Sequence, residues 1–307
     1  MANTAMITKR DLIDLDKKVY SPAHVELNGR KFFRSFPIGR YQEYYAYDVY
    51  EATGKARRSG SRNTDTPVGD ETKHRYFAPV TQFEYGIEYT DDELGRAQEV
   101  KDTGFVSRRG DQAARAMAEY EDKVIFNGIK EDNIIGLTNK KDDTGFQYEA
   151  APKTLDQMTN EEMLHYFKAV SHKITDLHYS SDKPILAITD AVETILDTPF
   201  NEYNADKTVE DMIGKYFSQI KVIPELESKY TGRSLDMGLA FLNDADTASI
   251  GDAMPVQRTL FQHLDERYKI KYKERFTGVI VRYPSHFVTL DKLCKTNGTG
   301  DNDQDNN

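Results

Sequence analysis

The sequence predicts an α+β fold built on a mixed sheet, and three observations carry that prediction. Residues 77–89 alternate apolar and polar side chains with period two. An amphipathic helix runs from Asp111 and stops at Asn127-Gly128. From Thr159 onward, short strand-like and helix-like segments alternate. Period two marks strands buried on one face, and the 3.6-residue period marks a helix with an apolar side.

The chain has 307 residues, enough for one large domain or two modest ones with a substantial core. Its 19 Tyr and 15 Phe, with no Trp, supply rings for cores and for subunit interfaces alike. A net charge of −10 favours solubility and argues against a sequence-reading nucleic-acid binder, which shows a basic face. One cysteine, Cys294, excludes an intrachain disulfide and a cysteine-based zinc site, and fits a reducing, intracellular place of folding. The first residues lack the apolar core of a signal peptide, and no run approaches the roughly 20 apolar residues of a membrane span.

Residues 1 to about 40 are polar, with a short helical hint at Lys9–Tyr20, and are expected to form an extended arm with little core of its own. Next, Tyr45, Tyr47 and Val49 alternate onto one face of a strand. Phe77, Thr81, Phe83, Tyr85, Ile87 and Tyr89 do the same, opposite Gln82, Glu84 and Glu88. Between the two strands, residues 54–73 hold almost nothing to bury. The segment is therefore a long antiparallel excursion with a polar, partly basic tip. A two-stranded ribbon is marginal alone and needs a cover.

Thr90 and Glu93 are spaced as a capping box, which starts a helix. Gly104 and Gly110 are candidate interruptions. From Asp111, one stripe of Ala113, Met117, Tyr120 and Val124 lies beside a second of Ala114, Ala118 and Ile125, so the helix is expected to pack on more than one side. Ile134–Asn139 reads as a buried exit. Thr159 and Glu162 make a second capping box, ahead of a stripe of Met163, Phe167, Val170, Ile174 and Leu177. Strands are expected at 184–189, 221–223, 237–242 and 278–283, with helices at 190–196 and 209–220. The tail from about residue 294 is expected to be disordered.

No phosphate-binding loop, dinucleotide fingerprint, nucleophile elbow or His-Glu-x-x-His occurs. His165 and His172 share a helix face, with Asp176 and His178 close by. A metal site can be built from such a set, and the ordinary reading is a row of helix-surface histidines. No carboxylate pair stands out as a glycosidase acid and base. Cys294 reads as an incidental small residue. Lys55, Arg57, Arg58 and Arg62 cluster in the polar loop beside Gly54, Gly60 and Ser61. They are either a solvated tip, an electrostatic contact with an acidic patch on a neighbouring copy, or a weak nucleic-acid footprint. No catalytic, cofactor-binding or metal-binding residue is assigned, and no cofactor is expected.

Phe83–Leu94 (FEYGIEYTDDEL), Ala113–Gly128 (AARAMAEYEDKVIFNG) with Ile135–Asn139 (IGLTN), and Phe276–Pro284 (FTGVIVRYP) follow one another in an order that resembles the major capsid proteins of tailed phages, the Hong Kong 97-type fold that encapsulin nanocompartments share. The resemblance covers residues 30–293. It implies an N-terminal arm (1–30), an extended β loop (31–89) and a peripheral domain with the spine helix (90–150 and 265–293). It further implies an axial domain (151–264) ahead of the tail (294–307).

By the same resemblance the protein is a non-enzymatic shell subunit that self-assembles, as hexamers and pentamers, into an icosahedral head around double-stranded DNA. A separate scaffolding protein, a portal and decoration proteins are the implied partners. The implied location is the virion, with assembly in the host cytoplasm. A cargo-enclosing encapsulin-like shell is the first alternative, and a carboxylate- or metal-dependent soluble enzyme the second.

Overall fold

The computed structural model describes residues 27–54, 69–100, 102, 104–178, 182–201, 203, 206–260, 262–264 and 267–295. A helical turn α1 (Gly29–Phe32) and strand β1 (Arg34–Pro37) lead into a long hairpin of β2 (Tyr44–Thr53) and β3 (Asp70–Pro79). Strand β4 (Thr81–Thr90), helix α2 (Asp91–Glu99) and the spine helix α3 (Phe105–Asn127) follow. The spine ends in the small hairpin β5 (Gly128–Ile129) and β6 (Ile134–Ile135). Next come α4 (Lys141–Thr144), β7 (Gln147–Ala150), α5 (Asn160–His178), β8 (Ile185–Ile188), α6 (Asp190–Leu196) and α7 (Val209–Ile213). After β9 (Gln219–Val222), α8 (Ser228–Thr231) and β10 (Gly238–Phe241), the last strands are β11 (Ala248–Arg258), β12 (Gln262–Leu264), β13 (Arg267–Val281) and β14 (Phe287–Asp291).

The first sheet runs β1-β11-β13-β12, with β4 also paired to β13. Strand β4 lies antiparallel to β13 from Thr81 opposite Phe276 to Thr90 opposite Arg267. Its alternation is real: Phe83, Ile87 and Tyr89 are buried, while Gln82, Glu84 and Glu88 face water. Tyr85, on the buried parity, keeps 38% of its surface exposed. At the end of β4 the Thr90 hydroxyl accepts from the Glu93 amide, 3.2 Å, and the Glu93 carboxylate accepts from the Thr90 amide, 3.3 Å. The predicted capping box therefore starts α2.

The spine begins at Phe105, six residues ahead of the expected Asp111, and passes through Gly110 unbroken. A side chain at Gly110 would crowd the Tyr272 hydroxyl at 3.1 Å, so the glycine there serves close packing and not a break. The two expected stripes hold only in part. The first half of α3 buries Ala113 and Met117 and exposes Ala114. The second half buries Glu121, Asp122, Val124, Ile125 and Phe126, so the wide buried face belongs to the end of the helix.

The second sheet runs β7-β14-β10-β8-β9. Strands β8, β10 and the first four residues of β14 are buried at every position, as expected of strands covered on both faces. Helix α5 covers one face through Met163, Phe167, Val170 and Ile174, whereas Leu177, expected in the same stripe, is 46% exposed near the helix end. The Thr159–Glu162 capping box is present, with bonds of 2.9 and 3.3 Å. The helix expected over 209–220 is only α7. It ends at Gly214, and Phe217 turns back into the second core before β9.

Three further expectations change. The segment 27–37 is not a loose arm. Phe32 and Phe33 are buried against Phe241 and Phe287, and β1 pairs in parallel with β11. Cys294 does not belong to a loose tail: it is buried, and its carbonyl accepts from the Asp236 amide at 2.8 Å. Residues 296–307, and the Lys9–Tyr20 helical hint, lie outside the described residues. Finally, strand pairing cuts across the boundary at 264. Strands β7 and β14 join the sheet of 185–241, and β11 joins the sheet of β4 and β13. Among the described residues, no helix is long and apolar enough to cross a membrane.

Candidate assembly surfaces

Among the described residues, the β2–β3 ribbon is a long element that its own chain leaves largely uncovered. Its register is unbroken from Tyr44 opposite Pro79 to Thr53 opposite Asp70. Ten residue pairs at about 3.4 Å per residue give a projection of roughly 34 Å. Residues 70–73, expected within the loop, are part of β3. The first eight residues of β3 are exposed.

Among the described residues, the ribbon is tied to the body near its base. Tyr45 packs on Phe36 with ring centroids 5.0 Å apart, and the Tyr47 hydroxyl donates to the Val281 carbonyl at 3.4 Å. The Arg282 guanidinium lies 5.7 Å from the Phe36 ring and 5.8 Å from the Tyr47 ring. Tyr44 and Phe77 near the base and Tyr50 farther out are all more than half exposed, at 61%, 65% and 61%. By strand parity these three share one face, while Tyr45, Tyr47 and Val49 share the other. Large rings on both faces of a two-stranded ribbon need a surface from another molecule. On the Tyr50 face, Asp48 pairs with both Arg75 and Lys73. Hydrogen bonds from Arg75 and then Lys73 hold its carboxyl well below the usual range. The charge pattern of this face is therefore fixed at every physiological pH.

A half-buried ionic knot, with Glu121 and Glu274 inside and Arg30 partly open to water, anchors the chain just ahead of the ribbon. The Arg30 guanidinium donates to both Asp252 oxygens, at 2.8 and 3.0 Å, and to Glu274 at 3.1 Å, and it pairs with Glu121. One side chain so ties α1 to α3, β11 and β13. Beside it the Gly29 amide donates to Asp122 at 2.6 Å, an approach that a Cβ at Gly29 would block. Burial first, and then the charge of Glu274, push Glu121 up to about 7 against the pull of Arg30. Burial also raises Glu274. On Arg30 burial opposes the charge, and the bond to Asp252 with the fields of the carboxylates outweighs it. Sequence reasoning missed this knot. Its members come from four distant segments, and no local pattern joins them.

The four basic residues singled out from the sequence, Lys55, Arg57, Arg58 and Arg62, lie outside the described residues. The strands that lead to them are close together, since a Cβ on Gly54 would sit 2.9 Å from the Gly69 Cα. His165 and His172 are exposed on α5, and His172 meets Asp176 at 3.5 Å. Among the described residues no group of three or more potential ligands could hold a metal. Burial, and next to it the charge of Asp236, push the Cys294 thiol up to about 12, so it stays protonated and is no nucleophile.

Comparison with known proteins agrees with this geometry. Residues 54–293 match a family model described as Major capsid protein. The structure superposes on the capsid of Myoviridae phage XM1 with a TM-score of 0.77 and 16% identity, over 94% of this chain and 99% of that one. Mycobacterium phage Bobi gives 0.63 at 11% identity, over 93% and 98% of the two chains. A virus-like particle from Pyrococcus furiosus gives 0.56 at 12% identity, over 85% and 91%. At such identities the likeness is one of fold.

Proposed function

This chain belongs to the major capsid protein family, a structural protein of the phage head shell, and from that premise we propose how it builds the shell. Copies associate as hexamers and pentamers that close into an icosahedral head around double-stranded DNA, and the subunit catalyses nothing. The observation that carries this reading is the β2–β3 ribbon, with Tyr44, Tyr50 and Phe77 exposed on one face, Tyr76 half exposed on the other, and a base tied to Phe36, Val281 and Arg282. A neighbour's surface buries it. Heterologous contacts of this kind, repeated and closed, give rings.

In this reading the ribbon is the extended loop. The spine, with the sheet of β4, β11 and β13, forms the peripheral domain. The sheet of β7, β14, β10, β8 and β9, with α5, forms the axial domain. Assembly takes place in the host cytoplasm with a separate scaffolding protein, and a portal and decoration proteins complete the head. Packaged DNA lies against the inner surface without sequence recognition. A cargo-enclosing shell is the alternative, and the match to a family model described as Major capsid protein favours the DNA-filled head.

The tip residues Lys55, Arg57, Arg58 and Arg62 contact an acidic patch on the neighbouring copy. Replacing Arg57, Arg58 and Arg62 with Glu tests this by sedimentation at low and high salt. Assembly should fall most at low salt and recover partly as the repulsion is screened. Unchanged assembly would return the cluster to a solvated loop tip.

A further inference from the structure

We propose that the pocket between the exit of the spine and α8 is an anion site, and that its occupant is the aspartate-rich tail of the same chain. The cavity, about 460 Å³, lies among Asn127, Lys130, Asn139, Lys140, Tyr230 and Arg233, with Asp143 as the single carboxylate of its lining. Lys130 and Lys140 are exposed, and neither forms an ion pair among the described residues. Arg233 is fixed in place. It donates to the Thr138 and Asn139 carbonyls at 3.2 and 3.5 Å and meets Asp291 at 3.5 Å. On a chain of net charge −10, Lys130, Lys140 and Arg233 against Asp143 and the Asp291 that Arg233 meets leave a local excess of positive charge.

The choice of occupant rests on where the chain goes next. Asp236, three residues and so at most roughly 10 Å of chain beyond the pocket's Arg233, donates its amide to the Cys294 carbonyl at 2.8 Å. Residues 296–307 carry Asp301, Asp303 and Asp305 and no Lys or Arg. Six residues of extended chain span up to about 20 Å, more than the three-residue step that separates Asp236 from Arg233. Tethering makes the encounter intramolecular, with an effective concentration on the order of millimolar, so weak individual contacts suffice. A phosphodiester backbone offers the same kind of charge but has no such tether.

Hydrogen exchange on the full-length protein tests the assignment, read at amides of 137–141 and 230–233. Three forms are compared: the native chain, a D301N/D303N/D305N variant and a K130E/K140E variant. Both variants should exchange at least about fivefold faster there, with α5 unchanged. A synthetic peptide of residues 296–307 should restore protection to the triple-Asn variant and not to the double-Glu variant. Native protection in the triple-Asn variant, or a peptide without effect on it, would overturn the proposal. Protection by a duplex DNA oligonucleotide but not by the peptide would overturn the tail in favour of phosphate.

Discussion

Gly128 and Gly136 interlock the end of the spine helix with the turn that leaves it. A Cβ on Gly136 would strike the Gly128 amide nitrogen, and a Cβ on Gly128 would strike the Gly136 amide nitrogen. Gly128 also sits at φ 67°, a conformation that side chains disfavour. This close approach lets the turn cap the helix. The Thr138 amide donates to the Phe126 carbonyl at 2.9 Å and the Leu137 amide to Ile125 at 3.3 Å, so two of the last helical carbonyls are satisfied inside the protein.

The first prediction follows from that interlock. Gly136→Ala should destabilise the subunit by about 3 kcal/mol, because the obstacle is backbone and cannot rotate away. Chemical denaturation of the purified variant measures it. A loss below about 1 kcal/mol would show that the turn can move aside.

Gly95 gives the opposite expectation. It lies inside α2, and a Cβ there would meet nothing within 4 Å. Gly95→Ala should therefore raise stability by up to about 1 kcal/mol through helix propensity and a less flexible unfolded chain. A destabilised variant would mean that α2 is not helical in solution.

The ionic knot predicts a pH dependence of definite sign. Glu121 titrates near 7 in the folded protein, against about 4.3 in an unfolded chain. The folded state holds this proton more tightly. Its contribution, about 4 kcal/mol, is fully present below about pH 4.3 and is lost as the pH rises through 7. Arg30, Asp252 and Glu274 face the same carboxyl, and Glu274 shifts in the same direction, so Glu121→Gln should remove part of the slope between pH 5 and 8. Urea denaturation across that range measures the slope, and an undiminished slope in the variant would place the titration elsewhere.

Deleting residues 55–68 isolates the ribbon tip. The strands already approach closely at Gly54 and Gly69, so the two ends can be joined by a short turn. Subunit stability should stay within about 1 kcal/mol of the native chain while assembly falls. Global unfolding on deletion would mean that the loop belongs to a core.

Local chemistry was legible in the sequence, and contacts between distant segments were not. The capping boxes at Thr90 and Thr159 are four-residue hydrogen-bond devices, and both stand where the spacing puts them. The end of the spine at Asn127, the strand of PILAIT and the helix at 190–196 were likewise visible in local pattern. Strand β14 was invisible because Phe287–Leu290 is buried on both faces and shows no alternation. Strand β11 was hidden by Gly251, Pro255 and three register shifts against β13. The arm misled because Phe32 and Phe33 look isolated until Phe241 and Phe287 arrive from the far end of the chain. Arg30 with Glu121, Asp252 and Glu274 is the same case in charge. Of the proposed contact site, composition revealed the cations, and the ribbon that carries them was visible as period-two alternation.

Electron microscopy of the purified, full-length protein tests the central claim most directly, with sedimentation on the same sample. A chain whose ribbon requires a neighbour should appear as capsomers or closed shells of uniform diameter. A stable, well-folded monomer that persists at high concentration would contradict the account.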